Sequence, residues 1–402
     1  MLPLDDLLVF DLSRVLSGPY CSMQLADFGA RVVKLEKPGE GDDTRAFGPP
    51  FLHGESTYFL SVNRNKESLA VDLKRPEGRA LALSIAARAD VLLENFRPGA
   101  LDRLGLGYEE LHAKNPRLIY CSISGFGHFG LAEHSQRPGY DLVVQGLGGL
   151  ASLNGEPERG PLKCGVSIAD MVAGLYGLIG ILVALHARER TGRGQHVDVS
   201  MLDGQISLLT YHAGIHFATG KIPTRMGNRH PSITPYETYR AGDGHVNIAV
   251  GNDSLWRTFA GEILDRPDLL ADPRFVTNAL RVQHRDALAT ILEPLVAART
   301  VAYWLDALER AGIPCGPIYS VAEALAHPQV KARDMVVALD HPTAGPIRVT
   351  GVPVRLSDTP GSVRTPPPRL GEHTRKLLQE LCGVEAEELE RLTKAGVISG
   401  AC

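Results

Sequence analysis

One aspartate stands at the start of a long apolar stretch. Asp170 follows Ser167 by three residues, and small and apolar residues then continue from Met171 to Leu185. A serine with an acidic residue three positions later is the capping-box pattern, which predicts the beginning of a helix. We expect this helix to be buried, because apolar residues surround it on nearly every side. Its dipole would keep the Asp170 carboxylate ionised away from water, as a nucleophilic carboxylate requires. On this segment alone, a simple capping role is the more frequent alternative.

Other polar segments carry side chains that could bind a phosphorylated or acyl ligand. Lysine and arginine pair readily with phosphate, and aromatic rings can form the wall of a pocket for adenine or an acyl group. Each segment also fits an ordinary surface loop, so both interpretations stay open. The segments are EKPGEGDDTR at 36–45, NRNK at 63–66 with Lys74, Arg75, Arg97 and Arg103, the pair Arg137 and Tyr140 in RPGYD, and SGFGHFG at 124–130, which contains His128.

Short apolar strands alternate with helices over the first half of the chain. Leu7–Leu12 is predicted as a strand, Ser17–Phe28 as a helix and Arg31–Leu35 as a second strand. This order is a βαβ unit, and its continuation to residue 199 predicts a doubly wound parallel sheet. Ligands bind at the carboxyl ends of the strands in such sheets, where the polar segments fall. The first turn, SRVLSGP, lacks the G-x-G-x-x-G fingerprint, which argues against a nicotinamide cofactor.

Composition indicates an ordinary soluble globular chain. The 402 residues are 22% charged and 44% hydrophobic, with a net charge of −4 and a pI near 6.4, so nothing points to nucleic acid or an anionic membrane. No uninterrupted apolar run approaches the ~20 residues of a membrane helix, and the N-terminus resembles a strand rather than a signal peptide. The cysteines and histidines show no metal-binding spacing, so we expect reduced thiols, no metal and a cytoplasmic location.

Several different short motifs are distributed over nearly the whole chain. They are Asp11–Pro19, Gly29–Arg45, Asn63–Gly78, Glu94–Gly105, Arg137–Asp141, Gly165–Gly177, Thr191–Asp198 and Pro367–Thr374. Taken together, these stretches resemble the class III coenzyme A transferases. The runs ESTYFLSVNRNK and SITPYETYRAGDGHVNIAVGN are most similar to the dicarboxylate subgroup, of which succinyl-coenzyme A:glutarate transferases are examples.

The resemblance implies an α/β fold with a Rossmann-like parallel-sheet domain and a smaller α+β domain, in an interlocked homodimer. The large domain would comprise 1–220 and 329–402, and the small domain 221–328. It implies that Asp170 is the nucleophile and that coenzyme A and acyl-coenzyme A are substrates, with no tightly bound cofactor. The positions that contact coenzyme A in the family fall here at Val15, Lys37, Val71, Lys74, Asn95, Phe96, Arg103, Arg137 and Tyr140.

The expected reaction moves coenzyme A from an acyl donor, such as succinyl-coenzyme A, to a carboxylic acid through an aspartyl-coenzyme A thioester. Glutarate, itaconate, malate, mesaconate or an aromatic succinate would suit a dicarboxylate site. The remote carboxylate of such an acid needs a cation, for which the candidates are Arg14, Arg45, Arg225 and Arg229. Backbone N–H groups at Gly251 or Gly125–Gly127 are candidates for stabilising the oxyanion.

Three departures from the family pattern bear on the alternatives. Leu16 stands where formyl-coenzyme A transferase has a glutamine, which puts oxalate–formyl chemistry in doubt. Arg137 replaces a lysine and keeps its charge. Tyr140 stands where the related α-methylacyl-coenzyme A racemase has a histidine base, so a racemase-like isomerase is the weaker alternative. A further alternative is that the protein binds acyl-coenzyme A without catalysing a reaction.

Overall fold

The computed structural model describes residues 2–400, which form two compact units. Unit 1 comprises the described chain as far as Leu150, together with Lys163–Phe217 and the chain from Pro328 onward. Unit 2 comprises Ala151–Leu162 and Ala218–His327. The segment 151–162, which the sequence analysis assigned to the large domain, therefore clusters with unit 2.

A seven-stranded sheet forms the centre of unit 1, in the order β14-β5-β2-β1-β6-β7-β8. Its pairs are parallel except for β14, which lies antiparallel to β5. The predicted parallel α/β sheet is thus confirmed, and only the short C-terminal strand was missed. In the described chain the strands are β1 (Leu8–Asp11), β2 (Arg31–Glu36), β3 (Phe51–Leu52), β4 (Glu55–Ser56), β5 (Lys66–Val71), β6 (Val91–Glu94), β7 (Ile119–Ser124), β8 (His196–Ser200), β9 (Tyr236–Arg240), β10 (His245–Ala249), β11 (Cys315–Pro317), β12 (Val336–His341), β13 (Gly345–Thr350) and β14 (Ile398–Ser399).

Helices cover both faces of this sheet and make up most of unit 2. Helix α1 ends before Gly29, whose φ of 113° is readily adopted only by glycine. The residues from Met201 to about Ala218 favour a single helix by sequence, but they form two, because Thr210 breaks the run with a positive φ of 34°. In the described chain the helices are α1 (Ser17–Asp27), α2 (Thr57–Val62), α3 (Pro76–Ala86), α4 (Tyr108–Lys114), α5 (Ala132–Ser135), α6 (Asp141–Leu147), α7 (Leu150–Leu153), α8 (Ile168–Thr191), α9 (Met201–Leu208), α10 (Thr210–Thr219), α11 (Asp253–Arg257), α12 (Pro267–Ala271), α13 (Asn278–Gln283), α14 (Arg285–Ala297), α15 (Val301–Arg310), α16 (Val321–Ala326), α17 (Pro328–Ala332), α18 (Thr374–Cys382) and α19 (Ala386–Lys394).

Alternate residues of each central strand pack into different cores. Phe10 of β1 packs with Leu377 of α18 on one face, whereas Val9 packs with Ala173 of α8 on the other. Because both faces are covered, the strands are apolar on both sides, as in other parallel sheets. In unit 2, the antiparallel sheet β11-β10-β9 packs against helices around Trp256.

The long helix α8 is less buried than its sequence predicts. One side, including Ala173 and Ile181, packs in the core of unit 1. On the other side Ile179 is 53% and Val183 is 62% exposed, so the expectation of a fully buried helix is wrong for the single chain. The sheet can cover only one side of a cylinder, so residues on the opposite side of α8 remain exposed. By length and composition α8 could also cross a membrane, contrary to the run-length estimate above, although core helices of soluble proteins pass the same test.

Candidate active site

Asp170 lies in a cavity of about 200 Å³ at the carboxyl ends of the central strands, the edge predicted from the sequence. We call it the Asp170 cavity. The loop after β1 contributes Val15, and the loop after β6 contributes Asn95 and Phe96. The segment before α6 contributes Arg137 and Tyr140, so five of the nine positions expected to contact coenzyme A surround Asp170.

A second cavity, of about 340 Å³, contains most of the remaining positions. We call it the Lys37 cavity, and its walls include Lys37, Val71 and Lys74. Phe96 lines both cavities, so the two sets of residues are adjacent. Arg103 is exposed and lines neither, although the next residue, Leu104, lines the second. The two cavities thus place a small chamber with a carboxyl group beside a larger one with two lysines.

Helix α8 begins without the capping box that the sequence predicts. The Ser167 side chain makes no capping hydrogen bond. Instead, the Asp141 carboxylate accepts a hydrogen bond from the Ala169 N–H at 2.9 Å. Gln145 donates to the other Asp141 oxygen at 2.8 Å and accepts from the Cys164 N–H at 2.7 Å. Helix α6 therefore holds the start of α8, and a residue 28 positions upstream satisfies the free N–H group.

Burial and a neighbouring carboxylate both disfavour the charged form of the Asp170 carboxyl group. Burial is the main cause that raises its pKa to about 7, and the nearby Asp141 carboxylate adds to the effect. Within residues 2–400 no lysine or arginine forms an ion pair with Asp170. The expectation that the helix dipole alone keeps this carboxylate ionised is therefore not met. Near pH 7 the group is distributed between its acid and its nucleophilic form.

The loop after β1 forms the wall between the two cavities, and buried charges support it. Val15 adopts a positive φ of 68°, and its N–H donates to the Asp42 carboxylate at 3.2 Å. The Lys34 ammonium lies 2.8 Å from the other Asp42 oxygen and donates to the Ser13 carbonyl at 2.9 Å. The Lys34 side chain is fully buried. A left-handed valine is unfavourable by itself, so these contacts hold the loop in the shape that lines the cavities.

Sequence reasoning did not identify this ion network, which also includes Asp11 and Lys66. Burial and Asp11 act in opposite directions on the Lys66 ammonium, and burial prevails, lowering its pKa to about 8. A signal was present, since Asp11 and Lys34 are charges that lie next to apolar residues within predicted strands. Buried charges are costly unless they are paired, so opposite charges on predicted neighbouring strands indicate an ion pair.

Two glycines bring the loop after β7 against the segment that carries Arg137 and Tyr140. A Cβ atom added to Gly125 would lie 2.5 Å from the Gly139 Cα, which no real side chain tolerates. Gly125 lines the Asp170 cavity, so its backbone remains a candidate donor to an oxyanion. Gly251 belongs to unit 2. His128 does not line the cavity; its backbone N–H donates to Asp198 at 3.0 Å.

The four arginines considered for a remote carboxylate fall into different settings. Arg14 lines both cavities. Arg45 forms two 2.7 Å hydrogen bonds with the buried Glu36 carboxylate. In unit 2, Arg229 pairs with Glu237 and Asp286, and Arg225 donates to backbone carbonyls of residues 156 and 157. Of the four, Arg14 is the one in the Asp170 cavity.

The described residues contain no cluster of three or more His, Cys, Asp or Glu side chains placed to hold a metal ion. The Asp170 cavity is lined by the carboxyl groups of Asp43 and Asp170, by the backbone of Gly125 and by Arg14, Arg97 and Arg137.

Comparisons with known proteins identify the relatives of this chain. The family model for CoA-transferase family III matches residues 4–374. The chain is 42% identical over 398 residues to succinyl-CoA:glutarate CoA-transferase of Mus musculus, covering 99% of this chain and 91% of that protein. It is 44% identical over 388 residues to acetyl-CoA:oxalate CoA-transferase of Acetobacter aceti, covering 96% and 97% of the two chains.

A solved structure shows the same fold. The crystal structure of a CAIB/BAIF family protein from Brucella suis has a TM-score of 0.83 and 44% sequence identity, and the match covers 94% of this chain and 99% of that one. The resemblance drawn from the ordered motifs is therefore confirmed. The parallel sheet, the near-complete match to the family model and the relatives at about 40% identity place the chain in the CoA-transferase family III.

Proposed function

We propose that this CoA-transferase moves coenzyme A from succinyl-coenzyme A to a dicarboxylic acid, with Asp170 as the nucleophile. The observation that carries the proposal is the position of Asp170 in a cavity with Val15, Asn95 and Phe96, beside a second cavity with Lys37. Lysines suit the phosphates of coenzyme A as point charges. Relatives named for glutarate, oxalate, citramalate and mesaconate support a diacid acceptor.

The first half of the reaction transfers coenzyme A to the enzyme. An Asp170 carboxylate oxygen attacks the thioester carbonyl carbon, the C–S bond breaks, and coenzyme A leaves as the thiolate. The product is a mixed anhydride between Asp170 and the donor acid. The thiolate then attacks the Asp170 carbonyl carbon and releases the donor carboxylate, which leaves an aspartyl-coenzyme A thioester.

The second half repeats these steps in reverse with the acceptor. Its carboxylate attacks the aspartyl carbonyl carbon and displaces the thiolate, giving a second anhydride. The thiolate attacks the acceptor's acyl carbon, and the Asp170 carboxylate is regenerated with no net transfer of a proton. Water would hydrolyse either anhydride, so the partial burial of Asp170 favours transfer over hydrolysis.

The experiment that tests this proposal combines trapping with a single substitution. Succinyl-coenzyme A and hydroxylamine should convert Asp170 to a hydroxamate, which peptide mass spectrometry locates. Asp170→Asn should lower transfer by at least about a thousandfold while coenzyme A still binds. Asp306→Asn, at an exposed carboxylate in α15, is the matched control. Substantial transfer by Asp170→Asn, or no adduct in the wild-type protein, would refute the assignment.

The acceptor is identified by a separate measurement. Succinyl-coenzyme A is incubated with glutarate, itaconate, malate, mesaconate, oxalate and monocarboxylic acids, and new thioesters are quantified by chromatography. A diacid should give the highest kcat/KM. Preference for a monocarboxylic acid would contradict the proposed substrate class while leaving the role of Asp170 intact.

Isomerase chemistry has less support in the cavity. A racemase needs acid–base groups on both sides of the α-carbon, and the position of the racemase histidine is occupied by Tyr140, which lines the Asp170 cavity. Deuterium exchange into the α-position of a branched acyl thioester, with no acceptor acid present, would favour the isomerase.

We further propose that the exposed side of α8 is covered by a second copy of the chain in an interlocked homodimer. Leu175, Ile179, Leu182 and Val183 follow helical spacing and are between 40% and 62% exposed. So large an apolar stripe is typical of an interface between subunits. Light scattering should give a dimer mass for the wild-type protein, and Ile179→Glu should shift the mass toward a monomer. A monodisperse wild-type monomer would contradict this arrangement.

A further inference from the structure

Arg14 borders the Asp170 cavity and the Lys37 cavity at once. Asp43 and Phe96 are the other residues common to both walls. The Arg14 guanidinium lies 4.9 Å from the centre of the Phe96 ring and 3.2 Å from the Asp43 carboxylate. A positive group is thus placed where the chamber that contains Asp170 meets the neighbouring one.

The backbone of Arg14 is fixed on both sides. Its N–H donates to the Asn95 side-chain oxygen at 2.8 Å, and its carbonyl accepts from the Asn95 side-chain nitrogen at 2.6 Å. This two-way contact ties the loop after β1 to the loop after β6. The backbone at the base of the Arg14 side chain is therefore fixed by the sheet edge, so anion binding does not have to order the loop as well.

The ion pair with Asp43 leaves most of the guanidinium available. One terminal nitrogen of the Arg14 guanidinium donates to Asp43, whereas an arginine side chain carries five N–H donors in all. Both side chains are about half exposed, at 48% and 52%, so their mutual attraction is weak. A carboxylate that binds two guanidinium N–H groups in the forked geometry makes a stronger contact than Asp43 does and can displace it.

We propose that Arg14 binds the carboxylate of the diacid that does not react, and so selects short dicarboxylic acids over monocarboxylic acids. The inference rests on the proposed function, because it needs Asp170 to be the reacting group. Arg45 is occupied by Glu36, whereas Arg14 reaches the cavity on a rigid loop. Asp43 holds the guanidinium in place between turnovers and gives way when the diacid enters.

Steady-state kinetics of Arg14→Gln test the proposal. In a two-half-reaction mechanism, kcat/KM for the acceptor reports on the acceptor step alone, so glutarate is compared with its monomethyl ester. The substitution should lower kcat/KM for glutarate by roughly 10- to 100-fold and change that for the monoester by less than about threefold. Arg310→Gln, which removes an exposed Arg–Asp pair in unit 2, is the matched control and should leave both values unchanged.

Asp43→Asn gives a second test, because the proposal predicts an improvement with glutarate in this variant, opposite to the loss in Arg14→Gln. Without the competing carboxylate, KM for glutarate should fall by about two- to threefold. Calorimetry measures the Kd of coenzyme A for each variant, which should stay unchanged in Arg14→Gln. A higher Kd would show that Arg14 binds coenzyme A instead and would overturn the proposal. Equal loss with both acids or unchanged kinetics with glutarate would also overturn it. Arg97 lines the same cavity, so loss of diacid selectivity in Arg97→Gln would assign the role to Arg97 and overturn the proposal as well.

The proposal and the underlying function fail in different ways. If wild-type protein forms no adduct at Asp170 and transfers coenzyme A to no acid, the proposed function is wrong. If the adduct forms and glutarate reacts normally in Arg14→Gln, the function stands and the role of Arg14 is wrong.

Discussion

Two carboxyl groups near the same edge of the sheet have opposite properties. Asp42, under the loop after β1, is fully buried, and Asp170, at the start of α8, is mostly so. Burial alone would raise the pKa of Asp42, but the Lys34 ammonium and hydrogen bonds from Thr44 outweigh it and lower the value to about 2. Asp170 has no such cation, and burial with the Asp141 charge raises its pKa to about 7. Neighbouring charges, more than depth, decide which carboxylate is permanently ionised.

The difference suits different tasks. The paired carboxylate is a structural anchor that holds a loop with an unfavourable backbone conformation. The unpaired carboxylate keeps its lone pairs free and gains basicity, which raises its nucleophilicity once it is ionised.

Replacing Lys34, the cation that pairs with Asp42, should have the largest effect on stability. Lys34→Met leaves the buried Asp42 carboxylate without its cation, which should lower the free energy of unfolding by about 3 to 5 kcal/mol. Urea denaturation measures the change, with Arg310→Gln as the exposed-pair control. A loss below about 1 kcal/mol would show that Lys34 does not stabilise Asp42 as described.

The contribution of Asp170 to stability should depend on pH in the opposite direction to that of Asp42. Its folded-state pKa lies above the unfolded value, so its contribution is fully present below pH 4 and is lost as the pH rises through about 7. Asp42 has a lowered pKa, so its contribution is present above pH 4 and is lost as the pH falls toward 2. Asp170→Asn should therefore be more stable than wild type at pH 8, by on the order of 2 to 4 kcal/mol. Parallel stability curves for the two proteins from pH 4 to pH 8 would contradict the raised pKa.

The Asp141 carboxylate should raise the pKa of Asp170 and thereby set the pH at which Asp170 becomes reactive. In wild type, kcat/KM should rise with pH through about 7, because only the ionised form of Asp170 attacks the thioester. Asp141→Asn removes the repelling charge but keeps an oxygen that can accept from Ala169, so the apparent pKa should fall by about one unit. A pH–rate profile measures the shift. An unchanged midpoint would mean that another group sets it.

The smallest effect is expected at the serine that the sequence singled out. Substitution of a true N-cap typically costs about 1 kcal/mol. Ser167 makes no capping hydrogen bond, so Ser167→Ala should change the free energy of unfolding by less than about 0.5 kcal/mol. A loss of 1 kcal/mol or more in the free energy of unfolding, measured by urea denaturation, would show that Ser167 does cap α8.

Much of the fold follows from local patterns. Apolar runs separated by glycine turns predict β1, α1 and β2 to within one residue at each end, and their alternation predicts the parallel sheet. The short strand β14 escaped prediction because two residues carry no periodicity. The break at Thr210 escaped because the surrounding residues still favour helix.

The sequence by itself also determined the family, since its motifs occur in one order along the chain, and it identified Asp170 as the residue to examine. Only the tertiary structure decided what surrounds that residue. Asp141 caps α8 from 28 residues away, and Asn95 fixes Arg14 from 81 residues away. Lys34 of β2 neutralises Asp42, which lies in the loop after that strand. Spacing along a chain specifies periodic local structure, whereas the charge state of a buried group depends on contacts that exist only after distant segments meet.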